Sequence, residues 1–179
     1  LPVFLGWALW IGAPLPAGGY WAPGLALVGL NIVASLLFVQ AVTVSPLSLT
    51  VPFLALTPVF ATAIAAALLG EWPRLGQLAG IVVVCVGAVA LNPRVVDGRR
   101  ISLWAAFRRE RGSPMMVGVA VLWSAAVSLD KLAMGHATVP VHAAVQAALI
   151  GGVLALWLLA QGRARELAPP RDAVGLVLG

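Results

Sequence analysis

The side chains able to do chemistry in this sequence are few and widely spaced. Asn31, Gln40, Thr57, Ser124, Ser128, Asp130, Lys131 and Gln146 sit in stretches otherwise built from Ala, Val, Leu, Ile and Gly. Each costs free energy in apolar surroundings unless it is hydrogen-bonded, ion-paired or hydrated, so each is a candidate for binding a polar solute. On a helix, Trp123 and Asp130 are seven residues apart and share a face, with Ser124, Ser128 and Lys131 forming the adjoining stripe. Asp130 and Lys131 would offer a carboxylate and an ammonium to a polar or zwitterionic substrate, and Asp130 could exchange a proton. Their place in the last turn of an apolar run leaves simple solvation at an interface as the alternative. Thr57 precedes Pro58 in the middle of another run. The proline removes a backbone donor, and the carbonyl it frees is tolerated at membrane depth only where protein or water satisfies it. Thr57 and Pro58 are therefore candidate pathway residues, with a kink serving packing alone as the other reading.

Other chemistries find little support. His136 and His142, six apart, do not form a metal-binding pair on one helix face. The single Cys85 lies in an apolar run and reads as a small packing residue. No Ser/His/Asp set, paired carboxylates within a span, phosphate-cradling glycine loop or Cys/His metal pattern is present, so neither an enzyme nor a cofactor or metal site is expected. The net charge of +5 sits in a few short hydrophilic segments and no basic groove with interleaved aromatics appears, which argues against nucleic acid.

The elements that must position these groups are membrane helices. Hydrophobic residues make up 61% of the chain and charged residues 9%, with a mean hydropathy of +1.02, a balance that water would not keep in solution. From Leu1 through Gly70 there is no Asp, Glu, Lys, Arg or His. That is several times the roughly 20 residues needed to cross a bilayer, so the stretch must fold back on itself within lipid. Proline and glycine clusters divide the runs into spans at Leu1–Ala13, Pro23–Val42, Pro46–Leu69, Leu75–Leu91, Pro114–Met134 and Val141–Ala160, with another beginning near Ala173. Ser45 before Pro46 and Ser113 before Pro114 look like capping hydroxyls ahead of a first-turn proline. Segments such as Ile81–Val86 are apolar on every side, unlike the alternation of a membrane barrel strand. Gly76, Gly80 and Gly87 return to nearly one face, and that span is expected to pack closely on a neighbour.

Charge sets the topology. Pro93–Gly112 carries six Arg against Asp97 and Glu110 and is expected in the cytoplasm. The next loop, Gly135–Pro140, has no Lys or Arg, and the one after it holds Arg163, Arg165 and Arg171. Leu103, Trp104 and Phe107 share a face beside Arg, as in a short helix lying on anionic headgroups; a solvated basic loop is the alternative. Leu1 to Leu15 has neither a basic start nor a clear cleavage site, so a signal peptide is not expected. A start without Met and an end inside an apolar run read as the middle of a longer protein.

Ala41…Ser45-Pro46-Leu47, Leu56-Thr57-Pro58-Val59-Phe60, Gly70-Glu71-Trp72-Pro73-Arg74 and Gln77-Leu78-Ala79-Gly80…Val86-Gly87 together resemble, in order and spacing, the last two helices of the EamA-type repeat of the drug/metabolite transporter superfamily. Val119 to Ser124 through Asp130-Lys131 resembles the first helix of a second repeat.

The resemblance implies a ten-helix, two-repeat inverted architecture: an all-α integral membrane bundle, with residues 1–92 as a first repeat, 93–113 as a basic linker and 114–179 as the start of a second. It also implies export of a small metabolite or drug-like molecule by alternating access around a cavity between the repeats. Partners would be the lipid bilayer, the small-molecule substrate and, as a candidate coupling ion, protons; the location would be a bacterial-type inner (plasma) membrane. Glu71 would pair structurally with Arg74. The family's cytoplasmic N-terminus would put the linker outside, against its six Arg, and the local charge bias is here given the greater weight. A membrane-embedded binding or regulatory subunit without transport is the alternative function.

Overall fold

The computed structural model describes residues 2–90, 95–96, 99–100, 107–108 and 110–162. Their regular structure is helical apart from one two-residue antiparallel ladder, Val95–Val96 on Arg99–Arg100. The expected span near Ala173 and most of the basic linker, Leu103 and Trp104 included, lie outside the described residues. Helices α1 (Pro2–Trp10), α2 (Trp21–Val44), α3 (Leu47–Thr50), α4 (Thr57–Leu69), α5 (Leu75–Ala90), α6 (Gly112–Met134) and α7 (Val139–Ala160) follow the apolar runs. Among the described residues, four helical stretches are long and apolar enough to cross a membrane: Gly18–Val44, Leu47–Leu69, Gly112–Met134 and Val139–Ala160. With 16 residues, α5 reaches about 24 Å at 1.5 Å per residue, short of a typical hydrocarbon core.

The expected Pro46–Leu69 span is broken where Pro58 predicts a disturbance, but over a longer stretch. Residues Val51–Leu56 tighten into a 3-10 helix before α4 resumes at Thr57. Pro52 and Pro58 each lack the N–H that an α-helical turn would use, and the segment between them winds more tightly. At its far end, α4 stops at Gly70, which takes the left-handed conformation (φ 67°) and donates its N–H to Ala65 O.

The chain forms two compact units. One, residues 17–136, contains α2 through α6, and α6 is its centre, touching α2, α4 and the 3-10 segment. Ala41, Phe53, Met116 and Val119 form its buried core, flanked by Leu37, Phe38, Phe107 and Trp123. Phe107 meets Phe53 edge-on at 5.7 Å, so the one described aromatic of the expected surface helix packs on the bundle. The other unit, in its described residues 2–16 and 137–162, brings α1 against α7.

Three sequence expectations about local contacts are corrected. Ser45 does not cap its own helix: its hydroxyl accepts the Gly112 N–H at 2.9 Å and so caps the start of α6. Ser113 lies inside α6, fully buried, because that helix already starts at Gly112. The glycines of α5 meet no described neighbour, since a Cβ at Gly76, Gly80 or Gly87 would find nothing within 4 Å. Instead α5 touches the 3-10 segment through Cys85, whose thiol donates weakly to Ala55 O at 3.5 Å, in keeping with a packing cysteine.

Candidate functional site

The polar stripe of α6 exists as a stripe, but its members go to different places. Trp123 and Asp130 line a groove of about 290 Å³ against α2, with Asn31 and Leu27 opposite and Ala126 and Val127 on their own helix. Asn31 donates one amide hydrogen to Leu27 O at 3.1 Å, satisfying part of its demand within α2 and leaving Oδ1 available to a ligand. The Trp123 ring stacks on Phe38 at 5.7 Å, which fixes the indole beside the groove. One carboxylate, one carboxamide and one indole thus converge on a concavity otherwise walled by aliphatic groups, the usual make-up of a small-molecule site.

Ser124 turns toward α4. It is fully buried, and its single hydroxyl proton is shared between Thr57 O at 2.9 Å and Ala120 O at 2.6 Å. The Thr57 carbonyl, next to Pro58, is therefore met by protein. Ser128 is buried one turn further along α6. Pro58 lines a second groove, between α4 and α5.

Lys131 leaves the stripe altogether. Its ammonium bonds both carboxylate oxygens of Glu71, 2.6 Å from Oε2, with both side chains about half exposed. The expected Glu71–Arg74 pairing is thereby replaced: Arg74 gives its backbone N–H to Gln77 Oε1 at 2.8 Å, opening α5. Gln40 is exposed near the end of α2 and lines neither groove, and Gln146 is buried in α7, in the other unit. His136 closes over Gly19 at the start of α2, and no metal-binding group of His, Cys, Asp and Glu occurs among the described residues.

The Glu71–Lys131 pair is the functional-site feature that sequence reasoning missed. The two lie 60 residues apart, and the only signal was that Glu71 and the end of α6 belong to the same membrane side if the spans alternate. No curated protein sequence and no solved structure matches the chain. The pattern of the EamA-like transporter family matches residues 1–92, from α1 through α5. That match covers just over half of the 179 residues, and it falls on the segment whose helices carry the Thr57-Pro58 break, the Gly70 stop and the Glu71 loop; the chain belongs to the EamA-like transporter family, a family of multi-pass, non-enzymatic membrane transporters.

Proposed function

We propose that the chain is part of a ten-helix inverted-repeat carrier of a bacterial-type inner membrane that exports a small metabolite or drug-like molecule by alternating access. Residues 1–92 form the first repeat, 93–113 a cytoplasmic basic linker and 114–179 the start of the second. The groove of Asn31, Trp123 and Asp130 is the substrate-binding surface contributed by α2 and α6, with Asp130 as the group that would carry a coupling proton. The observation that supports this reading is the convergence of those three side chains on one concavity whose other walls are aliphatic.

Comparing metabolites inside and outside cells with and without the protein selects substrates, and flux into proteoliposomes then tests them. Asp130→Asn should abolish proton-driven flux while the protein still inserts and folds. Unchanged flux in Asp130→Asn and in Asn31→Ala would refute the assignment, and absence of flux for every selected solute would favour a non-transporting subunit.

A further inference from the structure

The largest groove among those described here lies between α4 and α5, about 620 Å³, and it is amphipathic along its length. Trp72, Arg74 and Gln77 stand at one end, while Ala65, Ile81 and Val84 line its floor. We infer that it holds one anionic phospholipid, with the phosphate on Arg74 and an acyl chain along the α4–α5 floor.

Charge selects the headgroup. Glu71 also borders the mouth, but Lys131 occupies both of its oxygens, so that pair is closed and the Arg74 guanidinium is the charge in excess. No acceptor among the described residues holds it. A guanidinium beside an exposed Trp, at the point where two membrane helices meet their loop, suits a phosphate at headgroup level.

Length selects the tail. From Arg74 to Val84 the groove follows ten residues along α5, about 15 Å, roughly half of a 30 Å hydrocarbon core and so the depth of one leaflet. At Gly80 a chain can lie against bare backbone, with nothing else within 4 Å. A second groove of about 230 Å³, almost wholly apolar, shares Thr62, Trp72, Pro73 and Ile81 with the first and offers a place for the other tail. A second copy of the protein fits less well. A helix laid on the glycine face would run on to Gly87, beyond the groove, and a parallel symmetric pair would set two Arg74 side chains at the same end.

Native mass spectrometry of the purified full chain, offered equal phosphatidylglycerol and phosphatidylcholine, tests the inference. Both lipids carry a phosphate, so the preference reads net headgroup charge: one arginine facing an anionic rather than a zwitterionic headgroup near the membrane surface corresponds to about fivefold preference for the anionic lipid. Arg74→Gln should bring that preference close to parity, Arg74→Lys should keep most of it, and Gly80→Leu should lower retention of both lipids. Arg108→Gln, which alters an exposed arginine outside the groove, should change nothing. Equal retention of the two lipids by the wild type, or a preference untouched by Arg74→Gln, would overturn the assignment. So would a disulfide-linked dimer of Gly80→Cys in a Cys85→Ala background, which would give the face to a second copy.

Discussion

The hydroxyl of Ser45, at the end of α2, accepts the N–H of Gly112, the first residue of α6 and 67 positions away, at 2.9 Å. The two helices approach so closely there that a Cβ at Gly112 would lie 2.5 Å from Ala41 O and 2.8 Å from Ser45 Cβ. This crossing ties the first helix of the proposed second repeat to the first repeat's helices.

Gly112→Ala should therefore destabilise the protein by about 1–3 kcal/mol, the usual cost of overpacking, as read by unfolding in detergent or bicelles. Gly80→Ala is the matched control. With open space around its Cβ and a better helix former in place, it should be neutral or slightly stabilising.

Removing the cap without adding bulk is a milder change. Ser45→Ala should cost about 1 kcal/mol by leaving the Gly112 N–H without its acceptor, and Ser45→Thr should retain part of that. Hydrogen exchange at the start of α6 should rise in Ser45→Ala, while the far end of the helix stays protected.

Ser124→Ala removes the bond from α6 to the Thr57 carbonyl. Such interhelical bonds average roughly 0.6 kcal/mol in membrane proteins, with a ceiling near 1.7, so a loss of about 1 kcal/mol is expected in an unfolding assay. A cost above that range would mean that the 3-10 segment between Pro52 and Pro58 depends on Ser124 for its geometry.

Glu71 and Lys131 form an exposed pair, and its coupling should be small. A double-mutant cycle of Glu71→Gln and Lys131→Gln should give about 0.2–1 kcal/mol, falling as salt is added. Exchanging the two charges in one variant should restore most of the coupling.

Much of this architecture is legible in the sequence because lipid imposes long apolar runs and Pro and Gly cut them. The positions of α2, α4, α6 and α7 follow from hydropathy, and the weak point near Pro58 follows from a missing donor. What hydropathy does not encode is which helices meet. Ser45 reads as a cap for the helix that follows it, because capping is a local rule, yet its partner is set by a tertiary crossing. Gly76, Gly80 and Gly87 read as a packing stripe, but small residues state only that something can approach, not what does. In the groove, the shared face of Trp123 and Asp130 is readable from a spacing of seven; Asn31 is readable as a candidate, but its place opposite them on α2 is not. Lys131, one residue beyond Asp130, is rotated about 100° around the helix and goes to Glu71 instead.

The central claim is that the α2–α6 groove is wet while the outer faces of the helices are not. It is tested by introducing Asn31→Cys and, separately, Val83→Cys into a Cys85→Ala background and labelling each in vesicles with a membrane-impermeant thiol reagent. Asn31→Cys should label and should be protected by a transported solute, and Val83→Cys should stay unlabelled. Equal resistance of both positions, or equal labelling of both, would contradict the account.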